Sequence, residues 1–156
     1  MQHMKWKNRR FYQLNNLELY NILQLRNQVF VIEQNCIYQD ADGKDEIAKH
    51  IFLKNGHRIV TYLRVLRAGD YFENSSIGRI VTHPAYRRQG YATQAIFKAI
   101  DMICVGWQER YIEISAQTYL TNYYTRLGFK KTGEEYLEDG IPHIRMLYDK
   151  ENLPEI

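Results

Sequence analysis

A β-rich run, Ser76-Ile77-Gly78-Arg79-Ile80-Val81-Thr82, stops at His83-Pro84, and an apolar-striped segment follows it. Proline cannot donate to a sheet ladder, so the strand ends there. From Tyr91 to Val105, the residues Ala92, Ala95, Ile96, Ala99, Ile100 and Ile103 share one stripe, which predicts a helix packed on a sheet. Tyr111 to Ala116 is again β-rich and reads as a central strand. Strand, helix, strand in this order implies a right-handed parallel crossover.

The flanking sequence adds strands on both sides. Asn15, with Glu18 three residues on, is a capping-box start for a helix from Leu17 to about Glu33. Leu19, Leu23, Arg26 and Phe30 form its stripe, widened by Ile22, Leu25 and Val29. His50 to Leu53 and Arg58 to Leu66, joined through Asn55-Gly56, predict an antiparallel hairpin. Tyr119 to Leu127 predicts a short helix stopped by Gly128, and Phe129 to Tyr136 with His143 to Tyr148 predicts a closing hairpin. The fold class is therefore α/β (α+β), a mixed central sheet flanked by helices.

The linking segment Arg87-Arg88-Gln89-Gly90-Tyr91-Ala92-Thr93 has the makings of a pyrophosphate cradle. The first N–H groups of a helix lack internal partners, and the helix dipole favours an anion there. Gly90 lets the main chain approach phosphate oxygens, Ala92 keeps the helix mouth open, and the arginines add charge-assisted hydrogen bonds. No Gly-x-x-x-x-Gly-Lys-Ser/Thr and no triple-glycine fingerprint occurs, which excludes the common nucleotide loops.

Arg87-Arg88-Gln89-Gly90-Tyr91-Ala92 resembles the Arg/Gln-x-x-Gly-x-Gly/Ala signature of the GNAT superfamily of acyl-CoA-dependent N-acetyltransferases. Asn122-Tyr123-Tyr124-Thr125-Arg126-Leu127-Gly128-Phe129 is similar to that superfamily's later motif. Gln34-Asn35-Cys36 through Asp42-Gly43, and Glu138 to His143, resemble its ElaA-type branch. The likeness covers about residues 14 to 148 of a chain taken as one domain, 1–156.

The resemblance implies a splayed parallel strand pair forming an acyl-CoA cleft. The main chain of Ile80, Val81 and Thr82 would meet pantetheine, and Arg87 with the amides of Arg88, Gln89, Gly90, Tyr91, Ala92 and Thr93 would hold the pyrophosphate of acetyl-CoA. An N–H near Ile80–Val81 would be the oxyanion donor, a contact worth ~2.7–4 kcal/mol where one has been removed from other enzymes. Gln117 and Asn122 fall where relatives touch the cofactor, and Tyr124 falls at the general-acid position. The implied activity is acetyl transfer to a primary amine, in a small molecule or a peptide, by direct attack through a tetrahedral intermediate. The alternative is a CoA-binding sensor or partner module of the same fold.

The position where some relatives carry a glutamate base holds Ile112, with Glu113 on the opposite face of the strand. Glu33, Asp42, His50, Glu138 and His143 are the remaining candidates for the acceptor side, and His143 is the first choice as base. Arg145 stands where the branch often has glycine, which would narrow or recharge that side. The acidic stretch Asp40 to Glu46 reads most simply as a solvated loop, or more sharply as an attractant for a cationic amine.

Composition limits the other classes. A net charge of +3 and the absence of any RNA motif speak against a nucleic-acid binder. No apolar run approaches the ~18–20 residues of a membrane span, and no metal-ligand spacing occurs. Cys36 and Cys104 are expected as reduced thiols in a cytoplasmic monomer or homodimer without a metal.

Overall fold

In the computed structural model, residues 3–153 are described. Asn15 caps the first helix as its spacing predicts: its side chain accepts from the Glu18 N–H at 2.7 Å, and Glu18 accepts from the Asn15 N–H at 3.2 Å. Helix α1 is Asn16–Arg26 and continues as a π-helical stretch, Asn27–Glu33. Ile22, Leu25 and Val29 are its most buried apolar residues and join Phe52, Ile59, Tyr62 and Val81 in one core. Leu19, Leu23 and Phe30 sit at the flank of that face.

The strands are β1 Met4–Arg10, β2 Lys49–Asn55, β3 Arg58–Leu66, β4 Ser75–Thr82, β5 Tyr111–Gln117, β6 Phe129–Lys131, β7 Tyr136–Glu138 and β8 Ile141–Asp149. Helix α2 is Tyr91–Asp101 with a π-helical extension, Met102–Gly106, and α3 is Thr121–Arg126. The sheet order is β1-β2-β3-β4-β5-β8-β6, with β7 also pairing β8. Strands β1 and β2, β2 and β3, β5 and β8, β6 and β8, and β7 and β8 pair antiparallel, whereas β4 and β5 run parallel through Ser75↔Ile112 and Ser76↔Glu113. The mixed sheet with helices is the α/β class expected.

Two compact units carry these elements. One comprises the chain up to Leu66 with Ile77–Ala99, and the other comprises Arg67–Ser76 with the chain from Ile100 onward. In the second, β5 alternates half-buried and buried residues, so Ile112, Ile114 and Ala116 face inward and Glu113, Ser115 and Gln117 the other way. Gly128, at φ 106°, follows α3; a Cβ there would lie 2.8 Å from Tyr148 Cε2, so backbone and packing both demand glycine.

One strand is added to the expected elements and two expectations are corrected. Strand β1 escaped the sequence reading because only Met4 and Trp6 interrupt its polar residues; it is an edge strand, where lysine discourages further pairing. Phe129 to Tyr136 is two strands, β6 and β7, on one partner, with Gly133 at φ 101° between them. The segment Asp40 to Glu46 is no solvated loop, because Asp40 and Asp45 are buried, 4% and 8% exposed.

Candidate active site

Strand β4 delivers the chain to the predicted anion loop. Pro84–Tyr86 form a single 3-10 turn, and His83 Nδ1 caps it by accepting from the Ala85 N–H at 3.1 Å. Tyr86 accepts from Asn55 Nδ2 at 3.1 Å and meets Tyr91 edge-on at 6.4 Å, which braces both ends of the loop. Arg88 at φ 63° and Gly90 at φ 82° are both left-handed, so the chain curls back before α2 begins at Tyr91. The first α2 hydrogen bond runs from the Gln94 N–H to Gly90 O at 3.1 Å. The amides of Tyr91 and Ala92 precede it, in the first turn, where a helix leaves its N–H groups without intrahelical acceptors. Arg87, Arg88, Gln89 and Gly90 are exposed, and a Cβ at Gly90 would have nothing within 4 Å. The loop is therefore an open nest of N–H groups at a positive helix end.

Arg87 is held by a fork. Its Nη1 and Nη2 donate to the two oxygens of Glu33 at 2.6 and 2.7 Å. That hydrogen bonding keeps the Glu33 carboxyl ionised below the usual carboxylate range. Glu33, considered from sequence for the acceptor side, thus stands beside the anion loop.

Behind the loop, Val81 is buried and Ile80 and Thr82 are half-buried. The buried Thr61 hydroxyl donates to Val81 O at 3.1 Å and lies 3.0 Å from the Thr82 hydroxyl, so Thr82 donates in that pair. Arg79, two residues before Val81, has φ 52°.

The acidic segment closes over β3 and β4 through three arginines. Arg26, with no exposed surface, donates from Nε to Asp40 Oδ2 at 2.8 Å and from Nη1 to Asp45 Oδ1 at 2.7 Å. Arg64 forks onto Asp42 at 2.8 and 2.6 Å and reaches Asp45 at 3.0 Å. Burial opposes ionisation of Asp42 and Asp45, but the arginine hydrogen bonds and charges outweigh it and hold both carboxyls low. Three aspartates face three arginines, so their charges are matched within the cluster. His50, also in this cluster, has Nε2 2.8 Å from Asp45 O and Nδ1 2.7 Å from the Tyr62 hydroxyl. The carbonyl can only accept, so Nε2 carries the proton and Tyr62 donates to Nδ1. Burial lowers the His50 pKa further, and the ring is a neutral structural group. Arg26 on an apolar stripe is the sequence signal for this cluster.

In the second unit, Tyr124 is 7% exposed and lies edge-on to Tyr123 at 5.2 Å and Phe129 at 6.0 Å. Burial, with the nearby Tyr123 and Tyr119, pushes its phenol above the ordinary range. Its hydroxyl makes no hydrogen bond with any described residue. His143 Nδ1 is 2.7 Å from Ile141 O, so that nitrogen carries a proton, and Nε2 faces Glu138 Oε2 at 3.2 Å. Tyr136 stacks on the imidazole at 6.1 Å and hydrogen-bonds Ser115, which donates to Glu138 at 3.4 Å. Glu138 and His143 are separate acceptor-side candidates in the sequence, and the structure brings them together with Ser115 and Tyr136, which lie on β5 and β7 and carry no such signal. Glu113 is engaged by Arg145 at 2.7 Å and Asn74 at 2.7 Å, and Arg145 also covers Phe72 at 4.0 Å. Gln117 is half-buried at the end of β5, and Asn122 is exposed on α3.

The strand–nest–helix of residues 75–101 lies inside a match between residues 18–150 and the model of the acetyltransferase (GNAT) domain. The chain belongs to the GNAT family. This GNAT chain is 37% identical over 145 residues to Protein ElaA of Escherichia coli, covering 92% of the chain and 95% of ElaA. The crystal structure of Escherichia coli ElaA superposes with a TM-score of 0.86 at 35% identity, covering 93% of this chain and 99% of ElaA. An acyl-CoA N-acyltransferase from Pseudomonas aeruginosa superposes equally well, with a TM-score of 0.86 at 37% identity over 92% and 99% of the two chains. No helix among the described residues of this GNAT protein is long and apolar enough to cross a membrane.

Proposed function

We propose that this GNAT protein transfers an acetyl group from acetyl-CoA to a primary amine. The observation that carries this reading is the open nest at Arg87–Thr93, where two left-handed residues precede the positive end of α2. Such a nest suits a diphosphate better than any neutral ligand. The fold and the acyl-CoA N-acyltransferase among similar structures support the same substrate.

In this reading the amides of Arg88 to Thr93 bind the diphosphate, with Arg87 beside them, and the main chain of Ile80, Val81 and Thr82 binds pantetheine. The Ile80–Val81 amides stabilise charge on the acyl oxygen as the amine attacks directly and a tetrahedral intermediate forms. A lysine-like amine of pKa ~10.4 is neutral only about once in 2,500 molecules at pH 7, so a proton acceptor is required. The pair His143 Nε2 and Glu138 Oε2, 3.2 Å apart, takes that role: Nδ1–H is committed to Ile141 O, so the accepted proton is held between the imidazole nitrogen and the carboxylate. Tyr124 donates a hydrogen bond to the departing thiolate. Full proton transfer from a phenol raised by burial to a thiol of pKa ~8.5 is uphill, so the hydrogen bond is the contribution. Gln117 and Asn122 are further cofactor contacts in this reading.

Wild-type protein incubated with acetyl-CoA and a panel of primary amines is expected to release free thiol in an amine-dependent way. CoA binding without release for any amine would favour a sensor module instead. His143→Gln is expected to lower kcat at neutral pH by on the order of a hundredfold with KM for acetyl-CoA nearly unchanged, read from free-thiol release at saturating amine.

A further inference from the structure

The buried aspartates and arginines have no part in the chemistry above, yet one of them, Arg79, joins them to it. Arg79 lies inside β4 at φ 52°. Left-handed backbone disfavours any residue with a Cβ, and Asn, Asp and Gly tolerate it far better than Arg. Something must hold it there, and the side chain shows what does. Its Nη2 donates to Asp40 O at 3.1 Å and to Asp42 Oδ2 at 3.4 Å. Nε lies 2.8 Å from Asp40 Oδ1, close enough to pair in charge but off the hydrogen-bond line. The guanidinium also sits 5.8 Å from the centre of the Tyr38 ring.

The anchor end is itself fixed. Arg26 holds both the Asp40 carboxylate at 2.8 Å and the Asp40 carbonyl at 3.2 Å, and Arg64 forks onto Asp42. Buried ion networks add little stability over apolar packing of the same volume. What they supply well is position. A single left-handed residue in a strand turns the following peptide groups, so residue 79 sets where the amides of Ile80 and Val81 point.

We propose that Arg79 is a positioning residue whose side chain, clamped by Asp40 and Asp42, holds β4 in the kink that aims the Ile80–Val81 amides at the acyl carbonyl. The inference rests on the acyl-CoA reading for its purpose, though the clamp itself does not.

The test compares Arg79→Ala, Arg79→Lys and Arg79→Gly. Glycine adopts φ 52° without strain, so it restores the kink without the clamp. Alanine restores neither, and lysine cannot bridge Asp40 and Asp42 with a planar fork. Among folded variants, Ala and Lys are expected to lose on the order of tenfold to a hundredfold in kcat, with KM for acetyl-CoA nearly unchanged. Gly is expected to recover most of that loss. A purely structural role predicts the opposite order, with Gly at least as impaired as Ala, and that order would overturn the proposal.

A second readout is independent of turnover. The Val81 amide resonance is expected to shift in Arg79→Ala and to return toward its wild-type position in Arg79→Gly. An unmoved Val81 resonance in Arg79→Ala would overturn the clamp. Failure of acetyl-CoA to perturb Val81 in the wild type would instead defeat the acyl-CoA reading, with the clamp still judged by the variant series.

Discussion

Arg26→Ala is expected to cost about 3–5 kcal/mol of folding stability, because it strands two buried carboxylates. Arg26 is wholly buried and donates to Asp40, Asp45 and the Asp40 carbonyl. Its guanidinium also lies 5.8 Å from the Tyr62 ring centre, so truncation removes packing as well as charge. Denaturant midpoints of wild type, Arg26→Ala and Arg26→Lys measure this directly, and lysine should lose less than alanine because a cation remains.

The pH dependence has a definite sign. Asp42 and Asp45 are held below the usual carboxylate range in the folded protein. A carboxyl depressed by folding contributes stability that is complete above its unfolded pKa of ~3.9 and is lost as pH falls toward the folded value. Wild-type stability should therefore drop below about pH 4. The gap between wild type and Arg26→Ala should narrow over the same interval. A gap that is small at pH 7, or constant from pH 7 to pH 3, would show that the cluster is not ionised as described.

Tyr124→Phe is expected to lower kcat by about tenfold to a hundredfold while leaving KM for acetyl-CoA and the melting temperature close to wild type. Phenylalanine keeps the edge contacts with Tyr123 and Phe129, so the substitution isolates the hydroxyl. Burial keeps that hydroxyl protonated throughout the usual assay range. Wild type and variant should accordingly share the shape of their kcat–pH profiles and differ in height. An alkaline limb present in wild type and absent from Tyr124→Phe would mean that Tyr124 titrates as a true acid. Unchanged kcat would remove it from the chemistry.

What was legible in the sequence was local. The Asn15–Glu18 cap, the Asn55-Gly56 hairpin, the strand stop at Pro84 and the Leu-Gly-Phe turn are each decided by neighbours in the chain, and each is where the spacing put it. The geometry of the Arg87–Thr93 loop belongs to this class, since a strand stop, a glycine and a helix start are all it needs. The partners of Asp40, Asp42 and Asp45 are different. They come from α1, β3 and β4, and an acidic tract reads as solvated until those arginines are seen to converge. For the same reason His50 looked available as a base, although Tyr62 and the Asp45 carbonyl occupy both its nitrogens. Strand β1 was hidden by its own charge, which an edge tolerates and a central strand would not.

The most direct measurement is a crystal structure of the protein with saturating coenzyme A. The expected result is diphosphate oxygens at ~2.7–3.2 Å from main-chain N–H groups between Arg88 and Thr93. A diphosphate bound elsewhere on the protein, or an empty nest at saturation, would contradict the assignment of that loop.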